Sequence, residues 1–320
     1  MEKANKIINQ QLVEFEAYFR EAVKSKVPLL DRIMSYIVKR KGKQLRPMFV
    51  LLSARLGGAI NTASYRAASL VELLHTATLV HDDVVDEAFE RRGFFSINAL
   101  WKNKVAVLVG DYLLSKGLLL SLDNNDFKIL QLMSRAVKMM SEGELLQMEK
   151  ARNLDVDEDI YYDIINGKTA SLLASACAAG ASTTFSNDSD IEQMRLFGEK
   201  VGMAFQIKDD LFDYGSRKIG KPTGNDIKEK KLTLPLIYTL NRVDKPLRKQ
   251  LIHIVKNENK NKQKVQFVID AVQQAGGIEY ATEKMFRFRD EALAILYRFQ
   301  PGDVREALED LVRYTTDRTF

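Results

Sequence analysis

The chain has 320 residues, of which 46% are hydrophobic and 28% are charged, so it can bury the large core of a globular protein. Its 48 basic and 43 acidic residues leave a net charge of +5, which does not demand a nucleic-acid partner, and we expect none. The single cysteine, Cys177, excludes an internal disulfide framework and a cysteine-based zinc cluster. We expect a buried, reduced thiol and a cytoplasmic location.

The first 26 residues lack the apolar core of a signal peptide, and no uncharged apolar stretch reaches about 18 residues. We therefore expect no signal sequence and no transmembrane segment. Six prolines and 17 glycines are few for this length, and their scarcity favours long helices.

Apolar residues recur at helical spacing along most of the chain. Residues 5–24 place them three and four positions apart, and residues 65–90 and 126–150 are long segments without an internal proline. Residues 158–180 and 190–214 follow a similar pattern. Three glycines lower the helix propensity of these last two segments: Gly167, Gly198 and Gly202.

Little in the sequence predicts β-structure. The apolar run 105–109 has the length of a strand, but its continuation through residues 111–118 favours a helix. No alternating pattern is joined to a hairpin turn. Loops are expected at residues 41–44, 91–96, 123–126, 152–157, 182–190 and 215–231. None of these resembles an interdomain linker, so the sequence predicts a single all-α domain over residues 1–320.

Two acidic clusters carry the chemistry, and each has the pattern DDxxD. The first contains Asp82, Asp83 and Asp86, and the second contains Asp209, Asp210 and Asp213. On a helix, the first and last aspartates of each pattern share a face, where like charges repel. Each cluster also ends an apolar stretch, so a cation is needed to offset the desolvation of the carboxylates.

Magnesium is the cation that suits these clusters. It binds one or two carboxylates together with water and substrate phosphates. The sequence has no Glu-x-x-His pairs of the kind that di-iron helical bundles use, and no cysteine–histidine ligand set for zinc.

Basic residues recur beside the acidic clusters, where they can bind an anionic substrate. They are Lys41, Lys43, Arg46, Arg91, Arg92, Lys168, Lys221 and Lys231. His75, Thr78, Asp82 and Asp86 are spaced by three, four and four residues, so they form one stripe on a helix. His75 is thereby a candidate donor to a second phosphate. A core histidine bonded to the backbone explains it equally well.

At this point the sequence resembles the trans-isoprenyl diphosphate synthases, also called polyprenyl synthetases, over about residues 25–320. The motifs that carry the resemblance are KGKQLRP, HTATLVHDDVVDEAFERRG, GDYLLS, GELLQ, GKTASL, GMAFQIKDDLFDY and GKPTGNDIKEKKLTLP. Lys41 departs from the family's usual glycine. The resemblance implies an all-α bundle of the isoprenoid-synthase type around a deep central cavity, and a homodimer.

The resemblance also implies roles for individual residues. Asp82, Asp86 and Asp209 are expected to bind three magnesium ions, with Asp83, Asp210 and Asp213 in support. The residues expected to bind the allylic diphosphate are Arg91, Lys168, Gln206, Lys221 and Lys231. Those expected to bind isopentenyl diphosphate are Lys43, Arg46, His75 and Arg92, with a further match at Arg318. Thr169 and Gln206 are expected near the reacting cation.

The reaction implied is chain elongation. Metal ions and lysines stabilise the departing diphosphate, the isopentenyl double bond attacks the allylic cation, and a proton is lost. No side-chain nucleophile is needed, and the released diphosphate is one candidate for the base. The segment 215–231 is expected to close over the phosphates and exclude water.

In this family, the residues four and five positions before the first aspartate gate the product cavity. Here they are Thr78 and Ala77, both small. We therefore expect a long product, around C35–C45, built on farnesyl diphosphate. Candidates for the cavity floor are Met133, Val137 and Met140, which share a stripe with Glu144. Ordinary core packing explains these three equally well.

Three alternatives remain at the level of the sequence. The first is a short-chain synthase that makes farnesyl or geranylgeranyl diphosphate. The second is a catalytically silent helical partner of another synthase. The third is a helical scaffold that binds anionic lipid headgroups.

Overall fold

The structure, a computed structural model, describes residues 1–39, 42–91, 93–153, 157–215 and 224–317, without the side chains of Arg91, Arg152 and Asn153. The described residues form α1 (Glu2–Ala22), α2 (Pro28–Lys39), α3 (Leu45–Gly57), α4 (Thr62–Val85), α5 (Ile97–Leu122), α6 (Phe127–Asn153), α7 (Glu158–Ile165), α8 (Ser171–Ala181), α9 (Asp188–Phe212), α10 (Asn225–Lys228), α11 (Leu234–Arg242), α12 (Lys245–Asn257), α13 (Lys262–Gln274), α14 (Gly277–Leu296) and α15 (Asp303–Thr316). The prediction of an all-α protein is confirmed.

The chain divides into two compact units. Unit 1 contains residues Met1–Val137, Ser175–Arg195 and Phe299–Leu308, and unit 2 contains Lys138–Ala174, Leu196–Arg298 and Glu309–Phe320. The prediction of a single domain over residues 1–320 stays a prediction.

Unit 1 is organised around the packing of α4 on α5. A capping box between Asn61 and Ser64 starts α4. Apolar side chains of both helices form one buried cluster that includes Leu73, Ala77, Val80, Ala106 and Val109. His81 lies directly over Gly110, where any Cβ would come 2.1 Å from the imidazole. The glycine thus permits the close approach of the two helices beside the first acidic motif.

Unit 2 has its own core, built from α7, α9 and α11–α14. Two tyrosines are almost fully buried in it, Tyr161 at 2% exposure and Tyr214 at 1%. The Tyr214 hydroxyl is 2.6 Å from the Thr233 hydroxyl. A Cβ at Gly277 would lie 2.5 Å from the carbonyl oxygen of Pro235, so this glycine lets α14 pack against α11. The core therefore surrounds the C-terminal part of α9, which carries the second acidic motif.

A small hairpin differs from the predicted helix over residues 65–90 and from the predicted absence of strands. Helix α4 ends at Val85, and strands β1 (Glu90–Arg91) and β2 (Phe94–Phe95) pair antiparallel, with Arg91 opposite Phe94. Gly93 turns the chain at a φ of 77°, which glycine adopts without strain. Two-residue strands are too short to show alternation, so the pattern was not visible in the sequence.

Two further segments differ from their predicted secondary structure. A π-turn, Asn166–Ala170, separates α7 from α8 within the single helix expected over residues 158–180. The predicted loop 215–231 contains the short helix α10. Both features depend on tertiary contacts described below, which apolar periodicity does not record.

The structure bears on two further expectations, the reduced thiol of Cys177 and the absence of a transmembrane segment. Cys177 is a free, buried thiol, as predicted, and burial raises its pKa to about 12. Helix α5 is the one described helix that is long and apolar enough to cross a membrane, with a mean hydropathy of 1.7 over its most apolar window, a third of which is buried. Only the length and composition of α5 make it similar to a membrane-spanning helix, and core helices of soluble proteins can have the same length and composition.

Candidate active site

The first acidic motif lies at the end of α4. Asp82 is in the last helical turn, and Asp86 caps the helix with a backbone N–H that donates to the carbonyl oxygen of Asp82 at 2.8 Å. Asp82 is half-buried and Asp86 is exposed, whereas Asp83 is 5% exposed. The structure therefore leaves two carboxylates of this motif accessible and encloses the third.

A tight turn stops α4 directly after the motif. The N–H of Ala88 donates to the carbonyl oxygen of Asp83 at 2.9 Å, and Glu87 has a φ of 50°. This is the Schellman arrangement, in which glycine is usual because other residues are strained at positive φ. The Asn98 side chain donates to the same carbonyl oxygen at 3.0 Å. Helix α5 thereby fixes the end of α4.

The second acidic motif lies at the end of α9, so both motifs occupy the C-terminus of a long helix. A helix C-terminus carries roughly half a negative charge, and basic side chains are favoured there. The last turns of α4 and α9 contain no basic residue. Each helix instead ends in adjacent carboxylates, which repel one another and the helix dipole. Both ends are therefore strongly suited to a bound cation.

Asp210 is the centre of a hydrogen-bond network in unit 2. It is 1% exposed. Its Oδ1 accepts from Gln206 Nε2 and from Lys231 Nζ, both at 2.8 Å, and its Oδ2 accepts from the Tyr161 hydroxyl at 2.8 Å. Both oxygens are thus occupied by protein donors. The neighbouring Asp209 is exposed, so it is the accessible carboxylate at this helix end.

Asp213 joins the two ends of the segment 214–224. Its carboxylate accepts the backbone N–H groups of Asn225 at 2.8 Å and Asp226 at 3.0 Å, and its carbonyl oxygen accepts the N–H of Gly224 at 3.0 Å. Burial raises the pKa of Asp213, and the two backbone donors oppose that shift. The residue therefore anchors the chain after α9.

Lys231 bridges two carboxylates. Its Nζ is 2.8 Å from Asp210 Oδ1 and 3.4 Å from Asp226 Oδ1. Burial alone lowers the pKa of the ammonium, but the charges of Asp210 and Asp226 outweigh it and hold the pKa above the ordinary lysine value. Burial raises the pKa of Asp226 to about 7, although Lys231 opposes this. The lysine is therefore the cation that compensates the buried acids of unit 2.

The π-turn is held by two close backbone contacts. The N–H of Ser171 donates to the carbonyl oxygen of Asn166, which is the five-residue spacing of a π-turn. A Cβ at Gly143 on α6 would come 2.7 Å from the backbone nitrogen of Lys168. A Cβ at Gly202 on α9 would come 2.5 Å from the Cα of Ala170. These glycines allow α6 and α9 to pack directly on the turn.

The turn presents two of the predicted site residues. Lys168 Nζ is 2.6 Å from Glu144 Oε2 and 3.5 Å from Gln147 Oε1. Thr169 donates from its hydroxyl to Gln206 Oε1 at 2.7 Å. Gln206 therefore links the π-turn to Asp210, because its other amide atom donates to that carboxylate.

The remaining predicted residues in unit 1 lie apart from this network in the chain. Lys43 is exposed, Arg46 is half-buried in the first turn of α3, and His75 is half-buried on α4. The backbone of Arg91 belongs to β1, but its side chain is outside the described part of the chain. The predictions for Lys41, Arg92, Lys221 and Arg318 also lie outside the described residues.

The two residues predicted to set product length differ in environment. Ala77 is fully buried in the cluster between α4 and α5. Thr78 is half-buried, and its hydroxyl donates to the carbonyl oxygen of His75 at 2.9 Å. Met133, a candidate for the cavity floor, is fully buried. These roles stay predictions.

Sequence reasoning did not single out two members of the network, Tyr161 and Asp226. Asp226 lies five residues before Lys231 in a lysine-rich segment, where an aspartate looks like an ordinary surface residue. Tyr161 lies eight residues before Thr169, and an uninterrupted α-helix does not predict its contact with Asp210. These groups come together only when α7 and the segment that follows α9 pack around Asp210 and Lys231.

The donors at the two helix ends fit a hard divalent cation. Asp82, Asp86 and Asp209 offer accessible carboxylate oxygens, which magnesium prefers. No three side chains of acidic, histidine or cysteine type form a ready-made ligand set within the described ranges. Magnesium needs only one or two carboxylates from a protein when water and substrate phosphates supply its other ligands.

We predict that Lys231→Met destabilises the protein by about 3–5 kcal/mol at pH 8, because it leaves two enclosed carboxylates without their cation. The raised pKa of Lys231 means that its contribution is complete below the ordinary lysine pKa and is lost only at higher pH. The loss should shrink at pH 5, because Asp226, whose pKa is about 7, is protonated there. Denaturant unfolding at both pH values measures this.

The control for that prediction is Lys138→Met, since the Lys138 side chain is 73% exposed and pairs only with Glu142 among the described contacts. Its stability should change by no more than about 0.5 kcal/mol. Equal losses for the two variants, or a Lys231→Met loss that grows as pH falls, would contradict the prediction.

Comparison with known proteins places the chain in a family. A family model described as polyprenyl synthetase matches residues 27–272. The chain is 33% identical over 320 residues to octaprenyl diphosphate synthase of Escherichia coli, and the match covers 99% of both chains.

Solved structures of prenyl diphosphate synthases also match this chain over nearly its whole length. A decaprenyl diphosphate synthase from Rhodobacter capsulatus has a TM-score of 0.94 at 33% identity, covering 99% of this chain and 98% of that one. A polyprenyl synthase from Caulobacter crescentus, complexed with calcium and isoprenyl diphosphate, has a TM-score of 0.91 at 31% identity, with coverages of 99% and 97%. A geranylgeranyl pyrophosphate synthase from Bacteroides thetaiotaomicron has a TM-score of 0.85 at 37% identity, with coverages of 99% and 98%.

These matches confirm the resemblance, the isoprenoid-synthase fold and the prenyltransferase class predicted from the sequence. They span nearly the whole chain, including both acidic motifs and the π-turn. The chain belongs to the polyprenyl synthetase family.

Proposed function

We propose that this protein is a magnesium-dependent, chain-elongating trans-prenyltransferase. It condenses isopentenyl diphosphate with an allylic diphosphate, farnesyl diphosphate first, and makes an all-trans polyprenyl diphosphate of around C35–C45. The observation that carries the proposal is the pair of carboxylate motifs, each at the C-terminus of a long helix without a basic residue in its last turn. Relatives that make octaprenyl and decaprenyl diphosphate support the long product.

Asp82, Asp86 and Asp209 would hold three magnesium ions, whose charge stabilises the diphosphate as it leaves the allylic carbon. The relative complexed with calcium and isoprenyl diphosphate supports a divalent cation in this role. Asp83, Asp210 and Asp213 act in support, because protein donors occupy Asp210 and Asp213 and Asp83 is enclosed.

The basic side chains bind the substrates. Lys168, Lys231 and Gln206 serve the allylic diphosphate together with Arg91 and Lys221. Lys43, Arg46, His75 and Arg92 serve isopentenyl diphosphate. Glu144 holds Lys168 at 2.6 Å, and Asp210 holds Lys231 at 2.8 Å, so both ammonium groups are positioned before substrate arrives. Positioned charges stabilise a departing anion without reorganisation during the reaction.

The carbon–carbon bond forms between the allylic cation and the isopentenyl double bond. Thr169 and Gln206 lie near the cation in this proposal, and their mutual hydrogen bond of 2.7 Å fixes their orientation. A proton then leaves the new tertiary centre, and the released diphosphate is the proposed acceptor. The segment 215–231 excludes water, which would otherwise capture the cation.

The enzyme is proposed to act as a homodimer in the cytoplasm. Helix α5 exposes Leu108 at 67% and Leu119 at 51%, and these leucines are eleven residues apart, which places them on one side of the helix. Val107, Leu118 and Leu122 are exposed beside them. Burial of such an apolar stripe favours association with a second copy.

The proposed cytoplasmic location has its own test. Cell fractionation that recovers the chain only with membranes would contradict this location.

A short-chain product is the competing proposal, and the similarity to a geranylgeranyl pyrophosphate synthase favours it. The deciding experiment is incubation of the purified chain with farnesyl diphosphate, labelled isopentenyl diphosphate and magnesium, followed by sizing of the dephosphorylated products. Products that stop at C20 would establish the short-chain alternative. The absence of any turnover by the purified chain would favour a silent partner subunit or a lipid-binding scaffold.

We predict that Asp82→Asn and Asp209→Asn each lower kcat by at least about 100-fold. Each variant removes a proposed ligand of the magnesium ions that stabilise the negative charge on the departing diphosphate. Chelation of magnesium should abolish wild-type turnover. Without magnesium both variants should be more stable than wild type by about 0.3–1 kcal/mol, because one negative charge leaves a helix C-terminus.

The matched control is Asp123→Asn, an exposed carboxylate at the C-terminal cap of α5 outside both motifs. It should show the small gain in stability with unchanged kcat. Full activity of Asp82→Asn under saturating magnesium would refute the proposed role of the first motif.

We predict that Thr78→Phe shortens the product, because a large ring at this position of α4 blocks the growing chain. Ala77→Phe should act likewise, although Ala77 is fully buried and its variant costs about 1–3 kcal/mol in packing. Thr76→Phe, two positions away and on another face of α4, is the control. Thin-layer sizing of labelled products measures the outcome, and an unchanged length in both Thr78→Phe and Ala77→Phe would refute the assignment.

We predict that replacing Leu108 and Leu119 together by lysine converts the dimer to a monomer in sedimentation velocity. Val13→Lys is the control, because Val13 is 62% exposed on α1, away from this stripe in the chain. A wild-type protein that sediments as a monomer would contradict the dimer outright.

A further inference from the structure

The Asp210 carboxylate accepts all of its described side-chain hydrogen bonds. A carboxylate only accepts, and Asp210 receives the Lys231 ammonium on Oδ1. The Tyr161 hydroxyl must therefore be the donor to Oδ2 at 2.8 Å. Burial raises the pKa of Tyr161 well above its ordinary value, and the adjacent carboxylate adds to the shift, so this proton is retained.

The same carboxylate sets the orientation of the Gln206 amide. The Gln206 nitrogen lies 2.8 Å from Asp210 Oδ1. The flipped amide would place two acceptor oxygens at that separation, which is repulsive. The amide oxygen of Gln206 must therefore face Thr169, where the two oxygens are 2.7 Å apart.

The polarity of the Thr169 hydroxyl follows. A hydroxyl has one proton, and Thr169 uses it to donate to Gln206 Oε1. The Thr169 oxygen can therefore only accept further hydrogen bonds, through its lone pairs. A half-buried oxygen that can only accept is a negative dipole end, which suits an electron-poor carbon and disfavours an anion.

Tyr161 determines which oxygen of Asp210 serves this network. Gln206 and Lys231 share Oδ1, and only the tyrosine hydroxyl holds Oδ2 among the described contacts. Without that bond the carboxylate is free to rotate and to divide its donors between both oxygens. We infer that Tyr161 is a positioning residue that acts through Asp210 and Gln206 to keep the Thr169 hydroxyl oriented as an acceptor toward the allylic cation. This inference rests on the proposed function.

The test is a double-mutant cycle with Tyr161→Phe and Thr169→Val, assayed as condensation of isopentenyl diphosphate with farnesyl diphosphate. Tyr161→Phe should lower kcat about tenfold, the effect of one hydrogen bond to a charged group, with the KM for the allylic substrate within about twofold. The double variant should be no slower than Thr169→Val alone, because both changes remove the same function. Multiplicative losses would overturn the inference, as would an unchanged kcat for Tyr161→Phe.

Tyr214→Phe is the matched control, since it removes a hydroxyl from an equally buried tyrosine of the same core, bonded to Thr233 instead of Asp210. It should lose stability to the same degree as Tyr161→Phe and keep kcat. An equal fall in kcat for both variants would show a general packing effect and overturn the inference.

A second variant covers the case in which Tyr161→Phe does not fold. Gln206→Met interrupts the chain of hydrogen bonds at a half-buried position. It should lower kcat, and Thr169→Val should add nothing in its background. Additivity there would overturn the inference. An inactive wild-type enzyme would instead overturn the proposed function and this inference together, so the two failures are distinct.

Discussion

Repulsion between carboxylates at the C-termini of two long helices is the constraint on which the rest of this structure depends. A protein optimised for stability alone would place lysine or arginine in those last turns. Here α4 and α9 have none, and each ends in paired aspartates. The surrounding structure is arranged to tolerate this charge. Asn98 and a strained Glu87 fix the end of α4, and Lys231 neutralises the enclosed acids beside α9.

The two DDxxD motifs have a similar pattern of buried and accessible aspartates. In each, one aspartate is enclosed next to one that stays accessible: Asp83 beside Asp82, and Asp210 beside Asp209. The third positions differ, because Asp86 is exposed whereas Asp213 accepts two backbone N–H groups. A motif written as three equivalent letters is therefore a set of physically distinct groups, some of which the protein encloses and some of which are accessible to solvent.

The roles of Lys168, Thr169 and Gln206 were expected from the family resemblance, and they stay predictions. The sequence was sufficient for the helical class and for the two motifs, because periodicity and spacing are local properties. It was not sufficient for Tyr161 or Asp226, whose importance arises only when α7 and the segment after α9 pack around Asp210. It also gave no indication of the hairpin at Glu90–Phe95, since two-residue strands carry no period. Gly202 was visible as a helix-weakening residue and Gly143 was not singled out, but both make a close backbone contact that only the fold reveals.

The π-turn at Asn166–Ala170 has a consequence for how this region can evolve. A wide turn accommodates one residue more than an α-helical turn, so the faces of α7 and α8 are out of phase with a continuous α-helix. Removal of a single amino acid here would regularise the helix and improve its hydrogen bonding. It would also rotate Lys168 and Thr169 by roughly 100° relative to Tyr161. Insertions and deletions between Tyr161 and Cys177 should therefore be purged by selection even where substitutions are accepted.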